Sequence, residues 1–150
     1  MISLLTKIKY QERVLQIKNV VKVTKGQKKL TFQVLIVLGD TINKVGFGIG
    51  KARDLSIANE KAVRTAINNL ITIQINSAFS ISSTIKQKYG ASEIILRPAK
   101  VGTGIKAGGT LRTILELAGI KNIFTKQLGS NNRLNNVKAT FLALELLNKK

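Results

Sequence analysis

Two patterns in this chain have the residue types and spacing for chemistry, and both handle anions rather than break bonds. Lysines cluster around a tight glycine turn, as in Lys22-Val23-Thr24-Lys25-Gly26-Gln27-Lys28-Lys29, and a glycine-rich stretch, Gly102-Thr103-Gly104, runs toward Gly108-Gly109. The two residue types most used in acid–base and covalent chemistry are missing: the 150 residues include no His and no Cys. That removes the usual general base, the usual metal ligand, any Ser-His-Asp arrangement and any disulfide or thiolate zinc site. The seven carboxylates, Glu12, Asp40, Asp54, Glu60, Glu93, Glu116 and Glu145, are scattered. Catalysis, a metal and a cofactor are therefore not expected.

Each motif has a plain reading beside the functional one. Lys44-Val45-Gly46-Phe47-Gly48-Ile49-Gly50-Lys51 fails the dinucleotide fingerprint, because Lys51 stands where the third glycine is needed. Glycines two apart instead describe a strand with one bare face. Either a helix packs flat on that face, which is preferred, or a phosphate backbone approaches it. Lys51 and Arg53, at its exit, are candidates for phosphate contact. Residues 102–110 do not form a Walker A loop, but they place backbone N–H groups at a helix start beside Lys100 and Lys106. The spacing Pro98-x-x-x-Gly102-x-Gly104 is similar to the phosphate loop of certain small-molecule kinases. Such enzymes need carboxylates near the loop, and here only Glu93 and Glu116 are close in sequence. Turn geometry without a ligand stays open. The Lys22–Lys29 loop is a solvated tip or an RNA-phosphate contact, and the charge favours RNA. For Gly129-Ser130-Asn131-Asn132-Arg133, capping and RNA contact both stand. Lys88 is counted among the RNA-binding candidates.

Charge decides the partner. Lys and Arg number 25 against 7 Asp and Glu, a net charge of +18 and a pI near 10.6. A compact chain of this size needs an anionic counterpart to hold that excess, and nucleic acid is the commonest one. The cations spread along the whole length, so the folded surface meets the polyanion. Aromatics are only 5% with no Trp, which argues against base-stacking platforms. Hydrophobic residues make up 44%, enough for a core. No apolar run is long enough to span a membrane. The segment Met1–Arg13 has no signal-peptide or transit-peptide pattern.

The elements that must position these residues are readable from periodicity. Val14–Thr24 is a strand, Lys25–Lys29 a basic turn, and Leu30, Phe32, Val34, Ile36 and Leu38 one face of a second strand. Gly39–Asn43 turns into a third strand, Lys44–Ile49, giving an antiparallel meander. Asp54 to about Ile73 is predicted helical, with Leu55, Ala58, Ala62, Ala66 and Leu70 in one stripe and Asp54 or Ser56 as cap. The Ser-rich stretch Asn76–Thr84 reads as a boundary between halves. Strands follow at Ile85–Lys88 and Glu93–Arg97, split by Tyr89-Gly90 and ended by Pro98. The glycine loop then enters a helix faced by Leu111, Ile114, Leu115 and Ala118 and stopped by Gly119. A strand at Lys121–Leu128, a turn at Gly129–Asn132 and a helix faced by Leu134, Val137, Phe141 and Leu144 complete the chain, ending in Lys149-Lys150.

These segments, in this order, resemble bacterial-type small-subunit ribosomal protein five. The match rests on NVVKVTKGQKKLTF (Asn19–Phe32), GDTINKVGFGIGKA (Gly39–Ala52), the Ala-rich helix, RPAKVGTGIKAGG (Arg97–Gly109), ILELAGIKNI (Ile114–Ile123) and LGSNN (Leu128–Asn132). It covers about Glu12 to Leu147. The resemblance implies an α+β fold in two small domains. Residues 1–76 would form a double-stranded-RNA-binding-like domain, a three-stranded antiparallel sheet plus a helix. Residues 77–150 would form a βαβ-type α+β half. It also implies a structural constituent of the small ribosomal subunit, in an organelle or a bacterial cytoplasm. Such a protein binds small-subunit rRNA, supports assembly and affects decoding accuracy near the mRNA entrance. Its implied neighbours are ribosomal proteins four and eight, the contact with protein four running through Gly102, Thr103, Gly104 and Arg112. The sequence departs from the family pattern at Gln27, where a second glycine is usual, at Tyr89 and at Arg133, and lacks a longer C-terminal tail. A free-standing RNA chaperone or regulator is the alternative.

Overall fold

The computed structural model describes residues 10–149; Met1–Lys9 and Lys150, and with them most of the N-terminal segment read above, lie outside the described residues. The elements are β1 (Gln11–Thr24), β2 (Gln27–Gly39), β3 (Lys44–Ala52), α1 (Leu55–Asn68), β4 (Ile71–Thr72), β5 (Ile85–Tyr89), β6 (Ser92–Pro98), β7 (Ile105–Lys106), α2 (Gly109–Leu117), β8 (Ile123–Gly129) and α3 (Arg133–Asn148). They form two four-stranded sheets, ordered β1-β2-β3-β4 and β5-β6-β8-β7. The chain folds as two compact units. One holds 10–38 and Gly46–Leu70, the other Gly39–Val45 and the chain from Ile71 onward. The architecture is two-part α+β.

In the first unit, a two-residue connection at Lys25-Gly26 makes β1 and β2 antiparallel. The predicted turn is therefore shorter than Lys25–Lys29, and Gln27, Lys28 and Lys29 already lie on β2. The predicted face Val34, Ile36 and Leu38 is buried and packs with Ala58, Ala62 and Ala66 of α1. Leu35 and Val37 are buried as well, so the inner end of β2 is apolar on both faces. Helix α1 stops at Asn68 rather than near Ile73. The N–H of Asn69 still donates to Thr65 O, but Ile71 and Thr72 turn extended and pair with Val45 and Lys44. Asp54 occupies the N-cap position without a side-chain capping bond. Its carbonyl accepts from Ala58 N–H at 3.0 Å.

The second unit is a mixed sheet with helices. β5, β6 and β8 are antiparallel, and β7, a two-residue strand inside the predicted glycine loop, runs parallel to β8. Helix α2 links those parallel neighbours. It buries Leu111, Ile114, Leu115 and Leu117, each worth about 1.5–3 kcal/mol when removed from water. Its end is a Schellman turn: Gly119 takes φ 84°, its N–H donates to Glu116 O, and Ile120 N–H donates to Leu115 O. Helix α3 packs on β5, β6 and α2. Its buried face is wider than the predicted one, adding Asn136, Ala139, Thr140, Ala143 and Leu147. The stretch Asn76–Thr84 is not a bare boundary. Asn76 Oδ1 accepts from Ala78 and Ser80 N–H, and Ser80 and Ile81 are buried.

Candidate nucleic-acid interface

The β1–β2 ribbon is built for exposure. Every residue from Ile17 to Leu30 is exposed, including Lys22, Lys25, Gly26, Gln27, Lys28 and Lys29. Thr24 Oγ1 donates to Gln27 O and Thr31 Oγ1 to Val20 O, pinning the strands near the tip. Gly26 takes φ 78°, while Lys25 does not share the positive φ. A type I′ turn needs both, so the lysine keeps an ordinary backbone and the glycine absorbs the reversal. Gln27 lies on β2 and needs no special conformation.

The bare face of β3 belongs to packing. A Cβ on Gly46, Gly48 or Gly50 would collide with the backbone carbonyls of Ala66, Ala62 and Ala58 respectively. The helix lies directly on the glycines, and no phosphate can reach the strand from that side. Lys51 and Arg53 remain exposed at its exit.

The loop before α2 donates less freely than its sequence suggests. Gly102 and Gly104 take φ 89° and 75°. Thr103 N–H donates to Lys100 O, and Gly104 N–H to Asn122 Oδ1, at 3.2 and 3.1 Å. Both N–H groups are therefore already engaged, one within the loop and one by Asn122 before β8, which weakens the anion-site reading there. Asn122, not singled out from sequence, is buried and also donates through Nδ2 to Ala78 O. Lys100 is exposed. Arg112 lies exposed on α2, its Nε 3.0 Å from Glu116 Oε1. Glu93, the other carboxylate near this loop in sequence, is taken by Lys86 at 2.9 Å. Among the described residues, no group of three or more His, Cys, Asp and Glu could hold a metal.

At the start of α3 the ordinary reading is satisfied. Asn132 Oδ1 accepts from Leu134 N–H, and Ser130 Oγ accepts from Asn132 N–H. Asn131 and Arg133 are exposed beside them.

Lys88 and Lys106 lie on the outer face of the second sheet. Register places Lys86, Arg97 and Lys126 on that face too. None of these three was singled out from sequence. The signal was present as alternating cations in Ile85–Tyr89, but their gathering depends on strand pairing.

A family model described as ribosomal protein S5, N-terminal domain, matches residues 10–74, and one described as ribosomal protein S5, C-terminal domain, matches residues 87–150. The chain is 48% identical over 141 residues to the small ribosomal subunit protein uS5c of Emiliania huxleyi, covering 94% of this chain and 89% of that one. It is 47% identical over 141 residues to uS5c of Cyanidium caldarium, covering 94% and 84%. It is 49% identical over 138 residues to the small ribosomal subunit protein uS5 of Microcystis aeruginosa, covering 92% and 80%.

Proposed function

This chain belongs to the ribosomal protein S5 family, and from that premise we propose that it is an rRNA-binding scaffold of the small ribosomal subunit whose main RNA contact is the β1–β2 ribbon. The family is a structural, non-enzymatic ribosomal component with bacterial and plastid members. The carrying observation is the exposed ribbon, four lysines around a two-residue turn in a chain of net charge +18. Such a ribbon can enter a groove between RNA helices, where each lysine that neutralises a phosphate releases a counterion. Recognition then follows RNA shape, since few side chains here read base edges. Lys51 and Arg53 extend the contact in the first unit, and Lys88, Lys100, Lys106, Asn131, Asn132 and Arg133 supply it in the second. We assign residues 1–76 to the RNA-binding-like domain and 77–150 to a domain that also meets neighbouring proteins. Gly102, Thr103, Gly104 and Arg112 face protein four, with protein eight and the mRNA path nearby. Support of assembly and of decoding accuracy follows from holding these partners in one arrangement.

The test is the salt dependence of binding to a small-subunit rRNA transcript. Lys25→Glu with Lys28→Glu should lower affinity and reduce the slope of log K against log salt by about 2. An unchanged slope removes the ribbon from the interface. In subunits reconstituted with Arg112→Ala, misreading should change more than assembly; normal fidelity would remove Arg112 from the partner contact.

A further inference from the structure

We propose that the outer face of the second sheet is a separate surface for the RNA backbone, an inference that rests on the RNA-binding reading above. Strand alternation and register define the face. Lys86 pairs with Ile95, which pairs with Lys126; Lys88 pairs with Glu93, which pairs with Leu128; Arg97 pairs with Phe124, which pairs with Lys106. The side chains between them point the other way, and Ile85, Ser92, Ile94, Leu96 and Ile123 among them are buried. On the outer face all five cations are exposed, with Phe124 at 39% and Leu128 at 40%.

Three observations favour a polyanion. First, five cations share the face with one carboxylate, Glu93, which is already paired with Lys86 at 2.9 Å. Lys88, Arg97, Lys106 and Lys126 are left as net positive charge. Second, protection of sheet edges does not account for the pattern. Edge lysines would suffice on β5 and β7, yet Arg97 and Lys126 sit on the two central strands, β6 and β8. Third, the spacing suits a chain of phosphates. Strands lie about 4.8 Å apart and same-face residues about 6.7 Å apart along a strand, so the heads of these long side chains can sample a continuous strip.

The backbone, rather than the bases, is the ligand. The face carries one aromatic ring, Phe124, and Lys106 Nζ sits 5.3 Å from its centroid. The ring holds an ammonium where a base would stack. Affinity should accordingly be indifferent to sequence and steep in salt.

The experiment uses the full chain and a fluorescein-labelled RNA duplex of mixed sequence, with anisotropy read across a salt series. Lys88→Glu with Lys126→Glu should reduce the slope of log K against log salt by about 2, Lys25→Glu with Lys28→Glu by a like amount, and the four together by about their sum. A sheet variant with the parent's slope, alongside a ribbon variant that loses it, overturns the sheet proposal and leaves the ribbon standing. Loss of incorporation into reconstituted subunits with an unchanged slope gives the face to a protein partner, and also overturns it. A parent chain that ignores the duplex sinks both. Should the reversals unfold the protein, lysine acetylation of the parent decides: Lys88, Lys106 and Lys126 protected by RNA support the surface, and equal labelling with and without RNA refutes it.

Discussion

Asp40 shows how one carboxylate can hold a loop in a chain that has few. Its Oδ1 accepts from the N–H groups of Ile42, Asn43 and Lys44 at 2.9, 2.9 and 2.8 Å. Thr41, inside the loop, takes φ 59°, a left-handed conformation that costs a β-branched residue, and its N–H donates to Leu117 O. Burial pushes the Asp40 carboxyl up, but the donated N–H groups of Lys44, Ile42 and Asn43 outweigh it and hold the group below its ordinary value of 3.8. A depressed carboxylate stabilises the fold at pH above its unfolded value, and that contribution fades as pH falls through the lower folded value. Asp40→Ala should therefore cost on the order of 1–3 kcal/mol at neutral pH. The gap to the parent, read from urea unfolding, should shrink as pH drops below the ordinary carboxylate range. A gap that stays constant down to strongly acidic pH would show that the charge on Asp40 is not what holds the loop.

At the scale of elements, β3 and α1 are one device: a glycine every second residue meets an alanine every fourth. Gly48→Ala puts a Cβ against Ala62 O and 2.5 Å from Ala66 N, both backbone atoms that no rotamer change can move aside. It should cost about 3 kcal/mol or more in chemical denaturation. Gly26→Ala, whose Cβ meets nothing, should cost only the left-handed backbone, about 1–2 kcal/mol. Equal losses at the two sites would refute the close packing of helix on strand. This pairing was legible beforehand, because the spacing of two along Gly46, Gly48 and Gly50 and of four along Ala58, Ala62 and Ala66 survives without tertiary knowledge. Gly119 was legible for a similar reason, since it directly follows a helical apolar stripe. β4 and β7 were not, because two residues carry no period. The end of α1 was misplaced because Leu70 and Ile73 continue its helical spacing while pairing and turn geometry take the backbone elsewhere. The cationic sheet face was half legible. Lys88 and Lys106 stood out singly, but Arg97 and Lys126 join them only through the register of β6 with β8 and of β8 with β7.

For the whole molecule, the excess of 25 cations over 7 carboxylates sets two opposite responses to salt. Glu93 and Glu116 are already tied to Lys86 and Arg112, so few anions remain to neutralise the other cations from within. In the free chain, like charges repel over a screening length of about 30 Å at 0.01 M salt and about 10 Å at 0.1 M. Added salt shortens that reach and relieves the compact state more than the expanded one, in which the charges are already farther apart. The melting temperature of the isolated chain should therefore rise over this range, by several degrees if about 1 kcal/mol of repulsion is screened. Affinity for RNA should fall across the same salt steps, because each bound phosphate releases condensed counterions. The two curves, one from differential scanning calorimetry and one from anisotropy, should run in opposite directions. A free chain whose melting temperature is flat or falls with salt would mean its cations are spaced widely enough not to feel one another. The requirement for a neutralising polyanion would then lose its physical basis.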